Sequence, residues 1–228
     1  MNTLALLQGL RFIDSFFPSG GYAFSSGLEA AVQAGAVRNS AELSCYVEDL
    51  LYGGMRTREA VAVKLAHQAA ISDKLATALK ADCELDAMKL ARGSRLASRQ
   101  MGRQVIRIAA EWNEGKKLLH DYRTSVETNL APGHFAVALG LTLGTVGWKC
   151  EEAVAAFLYH TIVGFVSAAM KLLPIGQREG QHLITGWLPL IDSISRHADA
   201  RARLSGWSPI QDIYEMRHGR LEQRLFRS

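Results

Sequence analysis

Apolar side chains recur every three or four residues along most of this chain, the period of a helix with one buried face. Leu4, Leu6, Leu7 and Leu10 open the pattern, so Leu4 to Ile13 reads as a helix-like segment. Leu28 to Gly35 reads as a short helix closed by Gly35, a residue suited to helix ends. Asn39-x-x-Glu42 is a capping-box pattern ahead of Leu43, Val47, Leu50 and Leu51. Gly53-Gly54 breaks or kinks that run. Ala60 to Ala70 resumes it, and Ser72 caps a further segment ending near Leu90. No stretch alternates apolar and polar residues as a half-buried strand would. The pattern predicts an all-α protein: a single-domain helical bundle over 1–228 with buried central apolar helices and a C-terminal docking tail at about 219–228.

Residues 92–112 predict an amphipathic helix. Arg92, Arg95, Arg99, Arg103 and Arg107 fall within about 120° of one face. Ala97, Met101, Val105, Ile108, Ala109 and Trp112 fall on the opposite arc, while Leu96 and Ile106 are apolar residues on the basic side. No acid lies between Asp86 and Glu111 to offset the arginines. A solvated face and a binding face for an acidic partner both fit this pattern. Nucleic acid fits it less well, because no aromatic side chains interleave the arginines and no RRM, KH or zinc-finger pattern accompanies them.

Asn113 to Gly133 is the most loop-like span. Phe135 to Trp148 carries no charged residue, nor does Ala153 to Met170. The second is close to membrane-spanning length, but Tyr159, His160, Thr161 and Ser167 would all need partners in lipid. A pair of helices buried in the bundle is the expectation, with Gly140, Gly144, Gly147 and Gly164 permitting close backbone approach at about 1 kcal/mol each in helix propensity. Gly176 to His197 is a further helix, kinked at Pro189. Ser208-Pro209-Ile210-Gln211 is a helix start, with Ser at N-cap, Pro at N1 and Gln at N3. That helix fades near Gly219. In the tail beyond it, Leu221, Leu225 and Phe226 stand among arginines, either as an anchor for another protein or subunit or as a frayed end.

Asp14 to Glu29 departs from the helical pattern. Pro18 restricts Phe17, and Gly20 and Gly21 can take positive φ. Phe16, Phe17, Tyr22 and Phe24 crowd around this turn, which is more apolar surface than a solvated linker carries. The loop is either a tight connection whose rings fill the core or a preformed protein-binding surface. A phosphate cradle is disfavoured, because there is no G-x-x-x-x-G-K-[ST] pattern and no Lys before Lys64.

Composition narrows the classes. The chain is 48% apolar and 21% charged, ordinary for a soluble globular protein, and its net charge of +4 does not by itself imply nucleic acid. Cys45, Cys83 and Cys150 lie far apart without C-x-x-C, which fits reduced thiols rather than disulfides or a zinc site. Met1-Asn2-Thr3-Leu4 lacks the basic start of a signal peptide, so the expected location is cytoplasmic. No nucleophile-elbow, H-E-x-x-H, Walker or Rossmann pattern occurs, and no catalytic residues are assigned. His160 reads as a hydrogen-bonded core residue. Glu215, His218 and Glu222 share a helical face that could hold a divalent ion, but pairing with neighbouring arginines competes with that use. The useful chemistry is expected on surfaces, with no metal ligands and no tightly bound cofactor. A basic all-α regulator binding nucleic acid or another acidic partner is the alternative.

Three blocks carry a resemblance. Asp14, Pro18, Gly20, Gly21, Ser25, Gly27, Leu28 and Glu29 have the order and spacing of the N-terminal signature of the urease accessory protein UreF family. Ala168 to Gln177 with Gly180-Gln181 resembles a second block of that family. Asp212-Ile213, Met216-Arg217-His218 and Arg224 to Ser228 resemble a third. Lys171 stands where the family often has Arg, and Gly219 where Glu is usual. The resemblance implies an all-α, usually dimeric scaffold that binds UreD (also called UreH) and recruits the GTPase UreG, delivering nickel into the urease apoprotein. Nickel would be handled only transiently, with no nucleic acid or membrane involved. Tyr22, Ser25, Glu29, Gln177, Gln181, Arg217, His218, Arg224, Phe226 and Arg227 are the expected partner contacts; Pro18, Gly20, Gly21 and Gly27 are expected to shape the loop.

Overall fold

Helix α8 (Phe135–Thr145) has no polar face, and every residue from Phe135 to Gly144 is buried. Such a helix must be surrounded, and α4 (Ala60–Ser72) is its main neighbour. Gly140 and Gly144 make that approach possible. A Cβ on Gly140 would stand 2.4 Å from the Val63 carbonyl oxygen, and one on Gly144 would stand 2.9 Å from the Ala70 Cβ. Around this pair pack α3 (Ser40–Leu50), α5 (Leu75–Met88), α6 (Arg92–Trp112), α7 (Lys117–Glu127), α9 (Cys150–Leu172) and α10 (Gln177–His197). The short helices α1 (Thr3–Leu10), α2 (Leu28–Gln33) and α11 (Pro209–His218) close the bundle. The computed structural model describes residues 3–113, 115–197 and 203–228, and no strand occurs among them. The all-α fold is as expected.

Several local expectations are met and others are corrected. Asn39 Oδ1 accepts the Glu42 N–H at 2.9 Å as N-cap of α3, but the Glu42 carboxylate takes the Arg38 N–H rather than that of Asn39. Gly53-Gly54 produces a π-helical segment, Leu51–Glu59, in which Gly53 is itself non-helical at φ −81° and ψ −111°. Ser72 does not cap α5. It ends α4, its hydroxyl donates to the Gln68 carbonyl, and Asp73 at φ +51° turns the chain. Residues 113–133 are not all loop, because α7 buries Leu118, Leu119, Tyr122 and Val126 at helical spacing.

The two uncharged stretches, in α8 and α9, are not equally buried. α9 is long and apolar enough to cross a membrane, but 56% of its most apolar window is buried inside the bundle, with Tyr159, Gly164 and Met170 on the exposed side. Gly164 meets nothing within 4 Å, so the close approach expected there does not occur.

One polar network ties four helices together, α5, α6, α7 and the start of α8. The buried carboxylate of Asp82 on α5 accepts the Tyr122 hydroxyl at 2.8 Å and the N–H groups of Gly133 and His134 at 2.7 and 2.9 Å. Burial, aided by nearby Lys89 and Arg99, pushes His134 down to about 4, so its ring is neutral at pH 7. Nε2–H then donates to Asp86 at 2.9 Å, and Nδ1 accepts from the Ser98 hydroxyl at 3.0 Å. A Ser–His–Asp chain of this kind suggests a hydrolase relay, but Asp86 also receives both Nε and Nη2 of Arg99. The geometry is that of a clamp joining α5, α6 and the start of α8.

The glycine packing gives opposite expectations at two sites. Gly140→Ala forces a methyl group against the Val63 carbonyl and is expected to destabilise by about 1–3 kcal/mol. Gly164→Ala, on open helix, is expected to stabilise by about 0.5–1 kcal/mol. Denaturant unfolding of the two variants reads both signs.

Candidate functional site

Residues 14–29 build a rigid loop from short-range bonds. Asp14 Oδ1 accepts the Phe16 N–H at 2.7 Å, and Ser19 Oγ accepts that of Gly21 at 3.3 Å. Gly20 at φ +78° and Gly27 at φ +83° adopt left-handed backbone, whereas Gly21 does not. Gly27 has a second constraint, since a Cβ there would stand 2.9 Å from Glu215 Cγ on α11. Pro18 lies exposed at the turn. Of the four rings, Phe17 packs on Phe12 at 5.2 Å between centroids and Phe24 is half-buried. Phe16 and Tyr22, at 95% and 77% exposure, point into solvent, so the loop does not serve only to fill the core.

The tail folds back onto this loop. Glu29, buried in the first turn of α2, is the receiving group. Its Oε1 accepts the Leu225 N–H at 2.6 Å, and its Oε2 accepts the Phe226 N–H at 3.2 Å and His218 Nε2–H at 2.7 Å. The Ser25 N–H and hydroxyl both donate to the Ser228 main-chain oxygen, at 2.5 and 2.9 Å, and Arg227 N–H donates to Ala23. Phe226 is buried, with Lys171 Nζ 5.2 Å from its ring centroid. Lys here supplies the cation that Arg would supply.

Below the tail, α11 rests on buried charge. Glu59 accepts Arg58 Nε at 3.0 Å and Lys89 Nζ at 2.8 Å. Burial opposes its ionisation, but these two cations overcome it and hold the group at about 2. Asp212 and Glu215 reach the same region from α11, and burial raises both above the usual carboxyl range. Ser208 precedes α11, but its hydroxyl accepts the Gly54 N–H at 2.9 Å, and the Gln211 side chain donates to the Ser26 carbonyl at 3.4 Å. The helix therefore starts as expected, with Ser208 at N-cap and Pro209 at N1, but the Ser208 and Gln211 side chains bond the π-helical segment and the loop instead of the helix end. Between loop, α6, α9 and α11 lies a cavity of about 220 Å³, lined by Phe17, Ser98, Met101, His160, Glu215 and Phe226 among others. His160 is a core residue as expected, its Nδ1 3.4 Å from the Ile13 carbonyl and its basicity lowered by burial.

All three sequence blocks meet at this junction. A sequence model of the family described as UreF matches residues 37–187. The chain belongs to the UreF family. It is 29% identical to "Urease accessory protein UreF" of Actinobacillus pleuropneumoniae serotype 3, over 96% of this chain and 97% of that one. The proteins of the same name from Bacillus sp. strain TB-90 and Trichodesmium erythraeum are each 28% identical, over 98% of this chain and 99% and 95% of theirs.

In this UreF-family chain the expected contact residues divide. Ser25, Glu29, His218 and Phe226 are buried, Glu29 bonding His218 and Phe226 and Ser25 bonding Ser228, while Tyr22, Arg217, Arg224 and Arg227 are exposed around them. Gln177 and Gln181 are exposed at the start of α10, with no side-chain hydrogen bond to loop or tail among the described residues. Glu215, His218 and Glu222 do not converge: Glu215 lines the cavity beside Gly27, His218 is held by Glu29, and Glu222 is exposed. Of the arginine face, Arg99 pairs with Asp86 and Arg95 with the Lys89 carbonyl, leaving Arg92, Arg103 and Arg107 exposed. Arg58, Glu59 and Lys89 escaped sequence reasoning. The available signal was an Arg-Glu pair directly before the apolar run of α4.

Glu29→Ala leaves two backbone N–H groups and His218 without their acceptor. The expected result is a tail cut by trypsin at Arg224 under conditions that leave the parent chain intact. A stability loss of about 1–3 kcal/mol is expected with it. Unchanged cleavage would show the tail held by other contacts.

Proposed function

We propose that this chain is a non-catalytic scaffold for incorporating nickel into urease, bridging UreD/UreH and the GTPase UreG on the urease apoprotein. Family membership supports the accessory role. The observation that carries the rest is the loop–tail junction, where the bonds of Ser25 to Ser228 and of Glu29 to His218 and Phe226 make a frame that presents Tyr22, Arg217, Arg224 and Arg227 outward. A surface ordered before contact loses little entropy on docking. Arginines and a tyrosine are the side chains that most often dominate such contacts.

In this reading the protein acts as a cytoplasmic homodimer. One partner takes the tail and loop, and the exposed Gln177 and Gln181 extend the contact surface. Nucleotide hydrolysis takes place on UreG and is modulated by its seating on the scaffold. Nickel is cargo. A scaffold that passes it on gains nothing from a tight site, so binding by this chain alone is expected to be weak.

Deleting residues 222–228 removes the hydrogen bonds of Leu225, Phe226 and Ser228 to the loop but none of the helices α1–α11. Circular dichroism is expected to stay near that of the full chain while co-purification with UreD and UreG is lost. Retained co-purification would remove the tail from the docking surface, and GTP hydrolysis by the purified chain alone would overturn the scaffold reading.

A further inference from the structure

The five arginines of α6 form two sets. Arg95 and Arg99 turn toward α5 and are bonded there, to the Lys89 carbonyl at 3.2 Å and to Asp86 at 2.6 Å. Arg92, Arg103 and Arg107 have no hydrogen-bond or ion-pair partner among the described residues and are exposed. These three lie within about 60° of one another around the helix, and Leu96 falls inside their arc.

Leu96 is 50% exposed, whereas Ile106, the other apolar residue on the basic side, is buried at 1%. What remains open is a shallow trough in which Leu96 lies among Arg103, Arg107 and the Asp86-paired Arg99, flanked by Gln100 and Gln104, with Arg92 one turn before it. From Arg92 to Arg107 it runs about 22 Å along the helix axis. It is also rigid. The opposite face buries Ala97, Val105 and Ala109, and the Arg103 stem lies against Gly133.

A solvated helix face gains nothing from a half-exposed leucine, and like charges one turn apart, as in Arg103 and Arg107, repel. Carboxylates brought in at intervals of three or four residues would relieve that repulsion, and an apolar residue between them would cover Leu96. The trough offers no ring on which a base could stack. We propose that the open strip of α6 is a docking track for an acidic, amphipathic helix of a partner protein. Its inner end lies beside the loop, where a Cβ on Gly20 would stand 3.5 Å from Gln100 Nε2. The inference does not depend on which protein takes the loop and tail.

The test uses the full chain and a fluorescent helical peptide of about 20 residues with Glu at every fourth position and Leu between. Duplex DNA of matched charge is the comparison. Anisotropy is expected to show peptide binding that weakens with added salt and is tighter than DNA binding. Arg92→Glu, Arg103→Glu and Arg107→Glu together are expected to weaken it about tenfold or more. Leu96→Ala should weaken it roughly threefold, and Arg220→Glu should leave it unchanged. Glutamine at the same three arginines repeats the test if circular dichroism shows the reversed chain misfolded. Three outcomes overturn the proposal: DNA binding as tight as the peptide with the same losses, equal loss from Arg220→Glu, or no loss from either triple variant.

Discussion

A buried carboxylate decides whether residues 219–228 belong to the bundle. Glu29 sits at 1% exposure, where an ionised group without partners would be very unfavourable. Three donors converge on it, and all three come from the end of the chain. The dependence is mutual: the tail's amides need an acceptor, and the carboxylate needs those donors. Gly27 makes the meeting possible, because only a residue without a Cβ lets α11 approach at that point. The first turn of α2 adds a favourable field for a negative group.

The two ends of the molecule are held by different physics. α4 and α8 meet through a dry interface in which small side chains let backbones nearly touch, and such packing tolerates few alternatives. The loop, α11 and tail meet through hydrogen bonds and buried charge, with exposed side chains close by. Each net hydrogen bond contributes about 0.5–1.5 kcal/mol. Elements joined this way open at lower free energy than the core and can exchange their bonds for those of a partner. A rigid base with a polar, exchangeable end is the architecture a docking scaffold requires.

The helical class was legible because a 3.6-residue period survives in the sequence whatever the tertiary contacts are. The span of α6 was legible for the same reason, since its boundaries fall at Arg92 and Trp112 as the arginine period requires. α7 was obscured by a lysine-rich start and by Pro132-Gly133 just beyond it, although Leu118, Leu119, Tyr122 and Val126 carry the period. Partnership was harder to read than type. Nothing local shows that Ser208 serves Gly54 rather than its own helix, because the bond closes over 154 residues of sequence. Glu29 and His218 read as outward contacts for the same reason: a polar side chain carries no mark of whether its partner is another molecule or the other end of its own chain. Phe16 and Tyr22 face solvent while Phe17 and Phe24 turn inward, a division that composition alone leaves open.

α6 is the wall shared by every feature of interest. Ser94, Ser98 and Met101 line the cavity, Gly93 lies against Ser228, and Gln100 reaches the loop, all on one 21-residue helix. Its outer strip and its inner contacts are therefore fixed to the same rigid body. If a partner seated on the strip binds the tail-docked form more tightly than the tail-released form, linkage requires that it tighten the tail by the same factor. α6 meets the tail at Gly93 and the loop at Gln100, and between them Ser94, Ser98 and Met101 line the cavity that Phe226 closes, so these contacts are where such a difference would be expressed.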